Sequence, residues 1–525
     1  MINMRWGLIV KVITVLMLMA FTMTLSVGIS GAGEVNPRHG GTLTLGLSRP
    51  LDSLAYYRSY AATKNLVTMA IWDTLLQYDE QGNLLPDLAK SWEVPDPKTI
   101  VLHLREGVKF HDGNIMDAED VVASMNFAIS PEAKSPMAWM FDSMESVEAL
   151  DDMTVQINLK TPTVVDVLYA LATGEGGVTS KEAIEKYGIG LGEHPIGAGP
   201  FKLEKWEKGS RIVLAKFDDY WEEGKPYLDK YVIKILPEEF TRLTALTSRR
   251  IHMAYRMSYK DIESLEEMEG FNANVYPTYC IYYLALKNNR APFNDMRVRK
   301  ALNYAIDKEA LTKAVLLGYA IPAITDIPPS MPGSLAGIEA PYPYDPEKAK
   351  ELLEEAGYPN GFSFEAILKS KSPDLETGLV LQKYFKAIGV NLKLIKEEPG
   401  THWIHEQAGA YKEAALGYWY PDFPDAAGSL RAFYYSKNIP PKACCNFDYY
   451  VNKEVDKLLD KAAQSDIEKR SKLYVEVNKV LYNDAPKVWL YHVQEALPAL
   501  VKVKGFKLGP MSSFQHIMRD IWLEE

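Results

Sequence analysis

Two periods of apolar and polar residues interleave along this chain from about residue 40 to its end. Period-two alternation predicts strands in "GGTLTLGLS" (40–48), "TIVLHLREGVKF" (99–110, turning at Gly107), "TVQINLK" (154–160), "RIVLAKF" (211–217) and "YVIKILP" (231–237). "VWLYHV" (488–493) and "KGFKLGP" (504–510) read the same way. Helical spacing appears in "NLVTMAIWDTLLQYD" (65–79), "DAEDVVASMNFAI" (117–129), "EEFTRLTALTSRRI" (238–251) and "VRKALNYAIDKEALTKAVLLG" (298–318). It returns in "YDPEKAKELLEEAGY" (344–358) and in two segments over 454–484. Start and stop residues fit these spans. Asp117 precedes its helix with Asp120 three residues on, Asp307 and Gly318 bracket another, and Asp345, Pro346 and Gly357 mark a cap, a first turn and a stop.

Strands that alternate with helices predict an α/β or α+β class and exclude a β sandwich. A chain of 525 residues is too long for one ordinary domain and suggests about three units. The balance of 47% hydrophobic and 24% charged residues is that of a folded protein, and the net charge of −11 argues against a nucleic-acid partner. The first 32 residues differ from the rest. Arg5 and Lys11 precede the apolar run "VITVLMLMAF", and "SVGISGAG" supplies small residues. This is the pattern of a secretory leader, with processing near Ser30-Gly31-Ala32 and a mature chain from Gly33. Residues 12–29 also approach membrane-spanning length without a charge, but Thr, Ser and Gly dilute their second half, which favours cleavage.

Several chemistries lack their motif. There is no GxxxxGK[ST], and "GIGLG" (188–192) and "GAGP" (197–200) lack full dinucleotide spacing, so they read as turn glycines and no cofactor is expected. Cys280, Cys444 and Cys445 cannot form a disulfide scaffold, and the adjacent pair should hold free thiols or a strained bridge. "HWIHE" puts His402 and His405 three apart beside Glu406, but HExxH is absent, and the expected arrangement is a polar helix face with Trp403 packed beneath. His111 in "FHDG" reads as a turn residue. No GxSxG elbow occurs, so no catalytic nucleophile or metal site is assigned. Among 69 acidic residues carboxylate pairs arise by chance, which leaves an exported carboxylate-based hydrolase as the enzyme alternative.

"GYWYPDFPDAAG" (417–428) poses the sharpest question. Asp422 and Asp425 sit among Trp419, Tyr420 and Phe423, with Pro421 and Pro424 between them. Two acids so placed can act as an acid/base pair, ligate a metal or anchor a cation.

Four blocks in order resemble one family, the extracytoplasmic solute-binding proteins of ABC importers of the peptide/nickel-binding type, family 5. They are "LLPDLAKSWEVPDPKTIVLHLREGVKFHDGNIMDAEDVVASM" (84–125), "PIGAGPFKLEKWEKG" (195–209), "APFNDMRVRKALNYAIDKEAL" (291–311) and residues 344–358. The resemblance implies an α/β, bilobed periplasmic-binding-protein-like fold with a hinge and an extra subdomain in the first lobe. Residues 33–277 plus 502–525 would form lobe 1, and 278–501 lobe 2. It further implies a non-enzymatic receptor that captures a small solute, an oligopeptide first, and delivers it to ABC permease subunits in the membrane. Oligosaccharide, nickel chelate and glutathione are the alternative ligands on the same scaffold. The receptor is expected to be periplasmic or extracytoplasmic and monomeric. In peptide-binding members a Trp three residues before an Asp occupies this part of lobe 2, and the Asp takes the ligand's α-ammonium; Trp419 and Asp422 match that spacing. A buried ammonium needs such an acceptor, because an unpaired buried charge is costly. Tyr420 would add an aromatic wall, and Asp425 would hold the loop. From lobe 1, "LDSLAYYRSY" (51–60) is expected to meet the ligand, with Tyr56 and Tyr57 lining the site and Arg58 taking a carboxylate.

Overall fold

The computed structural model of the chain describes residues 36–58, 62–337, 342–441, 443, 445–507, 509–511 and 517–525. The leader read in residues 1–32 lies outside them, as does Cys444. Two mixed sheets organise His39–Glu525. The first runs Phe271–Asn272, Ala499–Leu500, Met253–Ala254, Thr42–Leu47, Lys230–Ile235, Arg211–Lys216 and Phe201–Glu207. Thr42–Leu47 is its central strand, parallel to both neighbours and buried after its first residue, which suits its Leu43, Leu45 and Leu47. The second sheet runs Ala320–Pro322, Lys487–Ala496, Val275–Leu286, Ala414–Trp419, Ser363–Lys369 and Asn391–Glu397. Its long strand Val275–Leu286 is buried almost throughout, as its continuous apolar and aromatic run requires.

A four-stranded antiparallel sheet, Ala89–Asp96, Thr99–Leu104, Thr154–Leu159 and Met144–Asp151, lies in sequence between Thr42–Leu47 and Phe201–Glu207. Ile100, Leu102 and Leu104 are buried and their neighbours are not, so one face packs and the other meets solvent. The chain passes from the first large sheet to the second between Asn272 and Val275, and returns between Ala496 and Ala499. The two crossings are tied to each other. Leu497 N–H donates to Asn274 O at 3.3 Å, and Asn274 Nδ2 donates to Leu497 O at 3.1 Å.

Helix caps follow the local sequence. Asp117 accepts from the N–H groups of Glu119 and Asp120, and the Asp120 carboxylate accepts from Asp117 N–H, a complete capping box on Ala118–Ile129. Asp307 caps Lys308–Leu316, and Asp345 caps Pro346–Glu355. His111 joins two of the quoted blocks: its Nε2 donates to Gly199 O at 2.9 Å, and its Nδ1 accepts from Gly197 N–H at 3.3 Å.

Three local expectations fail. The helix expected over 65–79 is Ala62–Thr68 only, because the carbonyls of Ala70 and Ile71 accept from Phe201 and Gly199 instead of from the next helical turn. The second helix of 298–318 already turns left-handed at Leu317, one residue before Gly318. Of "KGFKLGP" (504–510) only Lys504, among the described residues, pairs as strand, at the end of Val503–Lys504; Gly505 turns away with φ of 71°.

Candidate functional site

In the second sheet Ser363–Lys369 is parallel to both Asn391–Glu397 and Ala414–Trp419, so their carboxyl ends share one edge. In the first sheet Thr42–Leu47 and Met253–Ala254 likewise end together. Carboxyl ends are where crevices open in such sheets. Here the segments that follow Met253–Ala254 and end Ala414–Trp419 border a cavity of about 1170 Å³. Trp403, Trp419, Tyr420 and Asp422 line it from the second-sheet half, and Glu175 and Arg256 from the half containing the first sheet.

The loop after Ala414–Trp419 is folded back on itself. Trp419 Nε1 donates to Gly428 O at 2.9 Å, and a Cβ at Gly428 would stand 2.9 Å from Pro421 Cβ, so the return passage admits only glycine without movement. Asp425 accepts from Ala427 N–H at 2.8 Å and pairs with Arg470 at 3.1 Å. The Arg470 guanidinium, fully buried, also reaches Asp166 of the opposite half at 2.7 Å. Two further contacts join the halves. Phe423 stacks on Tyr169 at 5.8 Å, and Pro424 sits so close to Gly82 that a Cβ there would approach it to 2.9 Å. The loop is thus clamped over the cavity by one ion-pair bridge and an aromatic contact.

Asp422 is different from Asp425. Its carboxylate makes no hydrogen bond or ion pair among the described residues, and burial alone pushes its pKa up to about 7. Opposite it lies Glu175, 4% exposed, on the single turn Gly174–Gly176. Its Oε2 accepts from the Thr173 hydroxyl at 3.1 Å, while its buried Oε1 has no partner among the described residues. Burial pushes the Glu175 pKa up to about 8; its hydrogen bonds oppose the rise and the charge of Asp422 adds to it. The glycines around Glu175 permit its position. A Cβ at Gly176 would meet Leu171 O at 2.1 Å, and one at Gly177 would meet Tyr56 Cβ at 2.8 Å. Tyr420 donates its hydroxyl to Glu495, which also faces the cavity. Burial opposes the charge on Arg256, but Tyr255 and Glu495 outweigh it and hold its pKa above the usual value.

Of the residues singled out from sequence, Trp419, Tyr420 and Asp422 are brought together at the cavity. Tyr56, Tyr57 and Arg58 are not among its lining. Tyr56 and Tyr57 are fully buried, with hydroxyls donated to Ser124 O at 2.9 Å and, at 3.4 Å, to Ile189 O. Large amphipathic rings satisfied by backbone carbonyls serve the core as well as a site. Arg58 pairs with Asp52 at 3.7 Å. The "HWIHE" helix is inverted relative to expectation: His402 and Glu406 are completely buried, while Trp403 faces the cavity. Among the described residues no cluster could hold a metal ion. Cys445 is held in a disulfide and Cys280 is a buried free thiol. Sequence reading missed Glu175, Asp166, Arg256 and Arg470. A lone acid between glycines in "LATGEGGV" was the available signal for Glu175.

Residues 83–441 match the bacterial extracellular solute-binding proteins, family 5, middle region. The glutathione-binding protein GsiB of Shigella flexneri serotype 5b (strain 8401) is 31% identical over 468 residues, which cover 87% of this chain and 90% of that protein. Among solved structures, the ABC transporter-associated periplasmic binding protein DppA from Helicobacter pylori, in complex with peptide STSA, superposes with a TM-score of 0.76 at 29% identity. That match covers 93% of this chain and 99% of DppA. HbpA2 from Haemophilus parasuis shares the fold with a TM-score of 0.84 at 24% identity, over 92% of this chain and all of that one.

Proposed function

Because this chain belongs to the bacterial extracellular solute-binding proteins of family 5, we propose that its cavity captures a short peptide or peptide-like solute with a free amine for an ABC permease. The observation that carries this reading is Asp422, an acid facing the cavity with no cation of its own. A peptide and glutathione, the solutes named for two similar proteins, share a primary ammonium and a carboxylate. An ammonium beside Asp422 would be desolvated and drawn to the carboxylate more strongly than in water. Trp419, Tyr420 and Trp403 offer apolar area and ring faces to the rest of the ligand. Arg256 is suited to a carboxylate, as a planar donor fork.

The work is binding and release, with no bond made or broken. Ligand that touches both halves only when they are closed favours that state by its differential affinity. The paired crossings at Asn274 and Leu497 are suited to the hinge. We assign residues 33–277 and 502–525 to one lobe and 278–501 to the other, and residues 1–32 to an export leader. No helix of the described residues is long and apolar enough to cross a membrane.

A thermal-shift comparison of the chain from Gly33 with its Asp422→Asn variant tests the reading. The panel holds glutathione, short peptides, their N-acetyl forms, oligosaccharides and nickel chelates. At a thousand times its dissociation constant a ligand stabilises by about 4 kcal/mol. Free-amine peptides should shift the wild type, and acetylation or the substitution should abolish the shift. Oligosaccharides that shift both proteins equally would sink the amine anchor and leave the family assignment intact.

A further inference from the structure

The peptide reading uses one acid, yet the cavity presents a second, buried acid without a cation. Glu175 is the second. It comes from the opposite half of the molecule, is nine-tenths buried, lines the same cavity, and has one buried carboxylate oxygen with no partner among the described residues. Placing an acid there is costly. A buried carboxyl without a full set of partners destabilises the protein unless something else compensates. The local backbone is nonetheless built for it: Gly176 and Gly177 let the turn press against Leu171 and Tyr56, and Thr173 fixes one carboxylate oxygen while the other is left without a partner. No other group among the described residues meets that oxygen, and the described cations lining the cavity lie elsewhere in pairs of their own. Arg431 meets Asp460 at 3.3 Å, and Arg256 is held by Tyr255 and Glu495.

We propose that Glu175 and Asp422 form one cation subsite that takes the ligand's primary ammonium between the two halves, with Glu175 as its specificity-determining member on the first-sheet side. This rests on the amine-anchor reading above and extends it. The ammonium has three N–H donors, so it can serve an oxygen from each half at once. A ligand that does so is held only when the halves are together, which makes the amine itself the closing contact. An alcohol or amide in its place leaves two acids facing each other with nothing between them. Selection is therefore for primary amines, and amine binding at neutral pH displaces the proton that the empty pair retains. The electrostatics agree, since both carboxyls are shifted upward and Glu175 feels the charge of Asp422.

Isothermal titration of wild type, Glu175→Gln, Glu175→Asp and Asp422→Asn tests this, with glutathione, tri-alanine and N-acetyl-tri-alanine as probes. Each titration is run in two buffers of different ionisation enthalpy, so that protons released on binding are counted. Removing one partner of a buried charge contact weakens binding by about 30-fold or more. Glu175→Gln should show that loss for the free-amine probe wild type prefers, together with reduced proton release. Glu175→Asp should recover part of both, and unfolding midpoints report whether each variant is folded. If Asp422→Asn abolishes amine binding while Glu175→Gln keeps wild-type affinity and proton count, the pair is overturned and the single-acid reading stands. If N-acetyl-tri-alanine binds wild type as tightly as tri-alanine, or no amine probe binds it, both readings fall together.

Discussion

Two pairs of acids lie along the seam between the halves, and they are treated in opposite ways. Asp166 and Asp425 share the buried guanidinium of Arg470, one acid from each side. Glu175 and Asp422 also come one from each side, yet neither is paired with a cation among the described residues. Both pairs lie in low-dielectric surroundings, where an unpaired charge costs several kcal/mol. The first pair is complete and closes the loop. The second lacks a cation, and in the reading proposed above the ligand's ammonium supplies it.

Arg470→Met should break this contrast most severely, because it leaves buried Asp425 and partly buried Asp166 without their shared cation. A loss of about 3–5 kcal/mol in denaturant unfolding is expected; a loss below about 1 kcal/mol would show that the latch is not balanced by Arg470 at all. Next comes Asp422→Asn. It should weaken free-amine ligands by about 30-fold or more in calorimetry, while leaving the unfolding midpoint of the ligand-free protein no lower than wild type.

The pH dependence of stability sharpens the comparison further. Glu175 and Asp422 have folded pKa values raised to about 8 and about 7. Stability in which these groups are neutral is fully present below the unfolded carboxylate range, roughly 4, and is lost as pH rises through 7 to 8. Each group contributes a slope of at most about 1.4 kcal/mol per pH unit. A double Glu175→Gln, Asp422→Asn variant should therefore show a flatter decline between pH 5 and 8 in urea titrations; an unchanged slope would mean that neither acid is held neutral.

Smaller effects follow at the rim. Phe423→Leu removes the stack on Tyr169, a contact of about 0.5–1.5 kcal/mol, and should weaken ligand a few-fold through the closed state, read as faster dissociation. Arg58→Ala should change stability by no more than about 0.5 kcal/mol, as its pair with Asp52 is partly exposed. It should leave affinity untouched; a clear loss of binding would return "LDSLAYYRSY" to the cavity.

Much of the scaffold was legible along the chain. The capping box at Asp117, the caps at Asp307 and Asp345, and most strands lie where period and end signals put them, because each is a contest among neighbours within a few residues. The failures are places where distant backbone wins. The helix from residue 62 ends at Thr68 because Gly199 and Phe201 claim the carbonyls of Ile71 and Ala70. The same distinction runs through the site. The loop carrying Trp419, Tyr420 and Asp422 stood out by composition and spacing. Tyr56 and Tyr57 looked equivalent, yet Tyr56 packs behind the turn that carries Glu175 and Tyr57 against Phe127.

By itself the sequence determined the α/β class, the family blocks, the caps and an acidic aromatic loop, since these depend on residue type and short-range order. Which acid is neutralised was decided only in three dimensions. Asp422 and Asp425 are three residues apart and alike in chemistry, and what separates them is Arg470, brought from 45 residues downstream of Asp425, and Asp166, brought from the other half, 304 residues from Arg470. Coulomb energy and burial depend on distance in space, and the folded chain alone sets that distance.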